Sequence, residues 1–274
     1  MKSTILPLLP FLIGASLATA GDYDPKGPIV DKSPPPFEEK EIGVSLSFDA
    51  YSHFISYGAD VWGDGSNAGN YGFNPSLEFS FPITDDLSLT LGTWWDVNDK
   101  GVSPIGGQLQ EVDVWTGLAY DMGFVEVSTT YQQWIYGSQT EQILDFGFAF
   151  DLPLSPSVTV HNRLDAGASG GDTGTVVVVG AEHGFDLGPV SITLPVGVAF
   201  FATEGFHGVG GDTGFGYASG GINASVPMAF MDSALGGEWA FNAGVTYYHT
   251  DNSVTVNNPE SDFIVTNFGV GVSF

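Results

Sequence analysis

The chain contains no cysteine, so neither a disulfide nor a thiolate-held metal can contribute to its stability or chemistry. Bases are almost as scarce: six lysines and arginines stand against 32 aspartates and glutamates, a formal net charge of −26. That imbalance argues against nucleic acid or anionic surfaces as partners. Beyond residue 20 there is also no run of about 18 apolar residues, the length a membrane helix needs. Helical periodicity is poor throughout, and 38 glycines punctuate the chain. Disorder is nevertheless excluded, because 43% of the residues are hydrophobic and 14% aromatic. A chain of this composition is expected to be mostly strand.

Residues 1–20 read as a secretory signal. Lys2 supplies a basic start, Ile5 to Ala15 an apolar stretch too short to span a bilayer, and Ala18-Thr19-Ala20 a cleavage pattern. Removal of this segment would take away Lys2 and no acid, moving the formal charge from −26 to −27. Residues 21–40, with Pro34, Pro35 and Pro36 among scattered charges, read as a flexible periplasmic lead-in.

From residue 41 to residue 274 the pattern changes to period-two alternation, in twelve segments. Val44, Leu46 and Phe48 oppose Ser45, Ser47 and Asp49, and Leu77, Phe79 and Phe81 oppose Ser76, Glu78 and Ser80. Val112, Val114, Leu118 and Tyr120 oppose Glu111, Asp113 and Trp115; Phe268, Val270, Val272 and Phe274 oppose Asn267, Gly269, Gly271 and Ser273. In the valine run near residue 177, Val177, Val179 and Ala181 are placed outward, since the other parity would turn Glu182 to lipid.

The connections alternate as well. Gaps at 82–86, 121–123, 151–157, 186–189 and 231–237 are short, whereas 54–73, 98–109, 166–174, 202–214 and 250–262 are mostly longer, with 137–141 the exception. Short periplasmic turns alternating with longer extracellular loops, and aromatics such as Tyr120, Phe124, Phe150, Phe185, Phe230, Trp239 and Phe274 near strand ends, mark an all-β, transmembrane antiparallel barrel of the bacterial outer membrane. A soluble sandwich would explain the alternation but would carry more charge, of both signs, on its polar faces.

The final strand looks like the C-terminal assembly signal of outer-membrane barrels, with Phe274 as its closing aromatic. The wider chain resembles the TorF-like porin family over residues 41–274. The resemblance rests on the Tyr/Gly-containing first loop from Tyr51 to Trp62, Phe-Asn-Pro-Ser at 73–76, Leu-Gly-Thr-Trp-Trp-Asp-Val-Asn at 91–98, Glu-Val-Asp-Val-Trp at 111–115 and Tyr-Gln-Gln-Trp-Ile-Tyr at 131–136. It implies a channel, with outer-membrane lipids, the barrel-assembly machinery and small solutes as partners, and no catalytic residues.

Turning the polar faces inward directs Asp49, Glu78, Trp94, Asp96, Glu111, Asp113, Trp115, Glu126, Trp134, Asp145, His161, Arg163, Asp165 and Glu182 to the lumen, together with Tyr51, His53, Tyr136 and Tyr248. Such a lining either forms an acidic, aromatic passage for small polar or cationic solutes or packs as an internal network filling a non-conducting structural or surface-binding barrel. Arg163, with no other base in the strands, is expected to pair with Asp165 or with an acid across the lumen. The Gly-Gly-Asp-Thr-Gly segments at 170–174 and 210–214, and the Gly-Asp-Gly-Ser-Asn stretch after Trp62, have one acid each, fewer than a calcium site requires, and are expected to be solvated loops. A membrane hydrolase would need a serine elbow or a comparable signature, and none is present. No enzyme activity, cofactor or metal is expected.

Overall fold

A computed structural model describes residues 41–67, 69–167 and 169–274. The expected signal (1–20) and lead-in (21–40) lie outside the described residues. In chain order the strands are β1 (Gly43–Tyr51), a small hairpin of β2 (Ile55–Ser56) and β3 (Ala59–Asp60), then β4 (Gly72–Pro82), β5 (Leu87–Val97), β6 (Leu109–Asp121) and β7 (Val125–Tyr136). They continue as β8 (Gln139–Phe150), β9 (Ser157–Asp165), β10 (Gly174–Leu187), β11 (Val190–Phe201), β12 (Gly214–Pro227), β13 (Glu238–Thr250) and β14 (Asp262–Ser273).

All of these except β2 and β3 close into one antiparallel barrel of twelve strands, each paired with its sequence neighbours. Closure comes from β1 lying between β4 and β14: Ser45 faces Ser273 and Tyr51 faces Asn267. At the seam the Val44 N–H donates to the Phe274 carbonyl at 3.2 Å and the Phe274 N–H to the Val44 carbonyl at 2.9 Å. A closed sheet has no edge, so the described backbone needs no solvent along its walls.

The alternation in the sequence becomes the two faces of the wall. In β6, Glu111 and Asp113 are buried while Val114 and Leu118 are exposed. In β10, Val176 and Val178 are buried and Val179 is exposed, which is the parity expected from Glu182. Apolar outside and polar within is the inverse of a soluble protein and is what a membrane barrel presents. Exposed aromatics gather toward both rims: Tyr120, Phe124, Phe185, Phe230 and Phe274 at the rim of short connections, Tyr71, Phe73, Phe200 and Tyr247 toward the other.

Two local features depart from the sequence reading. The connection after β12 contains a short helix, α1 (Ala229–Leu235), where a plain turn was expected; Asp232 Oδ1 accepts the Trp239 N–H at 2.8 Å and fastens it to β13. The pairing of β8 with β9 shifts register between Gln142 and Ile143, a bulge that keeps Ile143 and Arg163 inside near the far rim.

The outward face makes a direct prediction. Leu91 sits midway along β5, 41% exposed and opposite Phe79 and Thr116 on its neighbours. Leu91→Arg is expected to cost about 2–4 kcal/mol in a bilayer, the penalty of a guanidinium at the midplane. Urea titration of the refolded barrel in lipid vesicles measures it, and an unchanged midpoint would contradict the outward assignment.

Candidate functional site

The long connections do not simply fringe the barrel; three of them fold in and cap it. In the 52–71 connection the β2–β3 hairpin turns through Tyr57 (φ 47°) and Gly58 (φ 84°) and drops into the lumen. A Cβ on Gly58 would lie 2.5 Å from the Tyr217 ring, so the close approach as well as the positive φ calls for glycine. The Tyr57 ring stacks on Trp134 at 6.5 Å and meets Phe206 edge-on at 6.2 Å. Its hydroxyl bonds to His161 Nδ1, which also faces Asp145 Oδ1 at 2.7 Å. Gln132 extends this chain, donating to Asp145 at 2.7 Å and accepting from the Trp134 indole at 3.0 Å.

The 202–213 connection adds Phe206, 2% exposed, and His207. Arg163 fixes this loop in three ways: Nε pairs with Glu141 at 2.8 Å, Nη1 donates to the Phe206 carbonyl at 2.6 Å, and the guanidinium carbon lies 3.9 Å above the centre of the Phe206 ring. His207 Nε2 donates to the Tyr57 carbonyl at 2.9 Å. Burial, reinforced by Arg163 and His161 nearby, pushes the His207 imidazole down to about 4 despite that hydrogen bond. From the 251–261 connection, Asn258 donates to the Gly58 carbonyl and accepts the Asp60 N–H, both at 2.8 Å.

Asp96 anchors the outer part of the first loop. It accepts from Trp62 Nε1 at 3.0 Å, Asn74 at 3.1 Å and Asn98 at 2.9 Å. Lys100 pairs with Asp64 and donates to the Ser52 carbonyl at 3.2 Å. His53 bridges the Ser52 hydroxyl and the Gly65 carbonyl, each at 2.8 Å.

Beneath the cap lies a cavity of about 310 Å³, running from the inner face of Tyr57 to the rim of short connections near Ser45, Glu238 and Ser273. Asp49, Glu78, Trp94, Glu111, Asp113, Trp115 and Trp134 are among its lining residues. Its lining contains no lysine, arginine or histidine. The Trp115 indole lies across Gly92, where a Cβ would fall 2.2 Å from the ring, and reaches Glu78 Oε2 at 3.0 Å. Tyr136 holds Glu111 Oε1 at 2.9 Å.

The remaining expected lining residues have other places. Asp96, Asp145, His161 and Arg163 are inside but are anchors of the cap rather than walls of the cavity. Glu126 is buried and Glu182 half-buried, both outside the cavity lining. Asp165 is corrected: it ends β9 exposed at the rim, accepting the Gly167 N–H at 3.2 Å, and the partner of Arg163 is Glu141 on the adjacent strand. Glu141 was hidden because the sequence pattern assigns 137–141 to a turn, whereas β8 begins at Gln139. The expectation of solvated loops holds for Asp172 and Asp212, which are exposed, and fails for Gly65 and Gly211, which are buried in the cap. Among the described residues no group of three or more His, Asp or Glu side chains is arranged to hold a metal ion.

No family model matches the chain, and no curated protein does. Solved structures with a similar fold include the KdgM porin, 10% identical with a TM-score of 0.45 over 84% of this chain and 99% of that one. They also include the NanC porin, 10% identical, TM-score 0.44, over 85% and 99%. The outer-membrane phospholipase A of Escherichia coli is 11% identical, TM-score 0.37, over 85% and 89%.

Proposed function

We propose that this protein is a bacterial outer-membrane channel for small polar or cationic solutes, closed in the described conformation by its own extracellular loops. The observation that carries this reading is the cavity itself: Asp49, Glu78, Glu111, Asp113 and Glu238 face it with no base among the lining residues. Low-dielectric walls focus such a field and favour cations, most strongly in dilute salt, where screening is weak. In this reading the rim of long connections is extracellular, the rim carrying Glu41 and Phe274 is periplasmic, and Phe274 serves the assembly machinery as the closing aromatic. The cap then acts as a gate.

Planar bilayers with a KCl gradient test the selectivity, and the expected reversal potential is that of K⁺ over Cl⁻. Anion selectivity would overturn the proposal. Arg163→Ala removes one partner of a buried pair, a loss of about 3–5 kcal/mol to the closed cap. The variant is expected to conduct more often than the parent while keeping the heat-modifiable mobility of a folded barrel. Absence of current from both proteins would instead favour the non-conducting barrel.

The gate should also respond to acid. In a released loop His207 would titrate near its ordinary value of 6.5, whereas in the closed cap it is held down near 4. Opening therefore takes up a proton between these values, so the closed state is fully favoured above pH 6.5 and weakens as pH falls toward 4. Open probability is expected to rise over that window in the parent and to rise less in His207→Gln; equal slopes in the two would remove His207 from the gate.

A further inference from the structure

Register places three lumen-facing side chains at one level of the wall. Trp94 on β5 is directly opposite Asp113 on β6, and Asp113 is directly opposite Trp134 on β7. An acid is thus flanked on both sides by indoles, and all three line the cavity, with the Tyr57 ring stacked on Trp134. Neighbouring carboxyls have donors: Glu78 holds the Trp115 indole and Glu111 the Tyr136 hydroxyl. Asp113 differs: it is nine-tenths buried, its carboxyl shares a hydrogen bond with another acid, Glu111, and its Oδ1 is left without a hydrogen-bond partner. A buried acceptor left without a donor is costly in a settled structure and marks a place where a ligand can supply what is missing.

We propose that Trp94, Asp113 and Trp134 form a binding site for an organic ammonium ion. The inference rests on the channel reading and names the solute class for it. An ammonium carries the positive charge that Asp113 and Glu111 lack, and its alkyl groups suit indole faces, whose negative quadrupole attracts cations. A bare metal ion fits less well, since such ions need several converging oxygens and no such group exists among the described residues. A neutral solute would leave the charge of this carboxyl pair uncompensated.

The test is tryptophan fluorescence of the purified full chain in detergent micelles at low salt, titrated with choline, with its neutral isostere 3,3-dimethylbutan-1-ol, and with K⁺. Saturable quenching by choline, absent with the alcohol and with K⁺, is expected. Asp113→Asn should weaken choline at least about tenfold, as loss of the charge partner of a desolvated cation requires. Trp94→Leu and Asp113→Asn are both scored for heat-modifiable mobility, so either folded variant carries the comparison, and Glu182→Gln, outside the cavity lining, should bind as the parent does. No saturation, equal binding of the alcohol, or unchanged choline affinity in the folded variants would overturn the site. Equilibrium binding needs no current, so these outcomes leave the bilayer test of the channel to be decided separately.

Discussion

The pairing of β1 with β14 is the contact on which everything else in the molecule depends. Until Ser45 faces Ser273 and Tyr51 faces Asn267, two strand edges expose unpaired N–H and C=O groups, which hydrocarbon cannot satisfy. Closure removes both edges at once and fixes the parity of every strand, since a one-residue slip would turn Asp49 outward and Phe48 inward. The seam has little side-chain bulk to help it: Gly269 and Gly271 face Asp49 and Ser47, and a Cβ on Gly269 would lie 2.0 Å from the Asp49 carboxylate. Backbone hydrogen bonds, not packing, therefore hold the two ends of the sheet together on the inner side.

Closure also decides where function can sit. The outer face is committed to apolar contact, so polar chemistry is confined to the lumen and its two mouths. Within the lumen the inward residues divide by what they meet. Toward the rim of long connections, Asp96, Asp145, His161 and Arg163 are consumed in holding loops. Glu78, Glu111, Asp113, Trp94, Trp115 and Trp134 line the cavity instead, although Glu111 is directly opposite Asp96 in register. The same residue type holds a loop in one place and lines the cavity in another, and only the position of the cap distinguishes them.

That distinction explains what was legible in the sequence. Period-two alternation fixes a residue's face but not its company, so it directs Trp94 and Asp113 inward while nothing in the pattern separates them from Asp96. Glu141 was missed for a related reason: a two-residue turn at Gly137 and Ser138 leaves little room for a boundary error, and a few residues assigned to the turn removed the partner of Arg163. Asp165 follows the same parity as Arg163 but lies where the strand leaves the wall. The loops were hardest. Phe206, Tyr57 and Val254 stand among glycines and polar residues with no period, and their burial comes from contacts between connections far apart in sequence. A buried phenylalanine in a Gly-rich loop is the one trace the sequence carries of a segment that folds inward.

The scarcity of bases acquires a meaning from this arrangement. Among the described residues there are two, and both hold the cap: Lys100 pairs with Asp64 of the first loop, and Arg163, on β9, pairs with Glu141 on β8 and reaches the Phe206 loop. His53, His161 and His207 are there as well. Positive charge in the lumen is thus gathered where loops must be held against a wall rich in acids, and it is absent from the lining of the cavity below. A base in the cavity would pair with Asp113 or Glu111 and neutralise the field there, whereas a cap without bases would be repelled by Glu141 and Asp96. The two requirements are opposite, and keeping both bases out of the cavity lining satisfies both: Arg163 pairs with Glu141 on the adjacent strand and Lys100 with Asp64 in the first loop, while the acids that line the cavity keep their field.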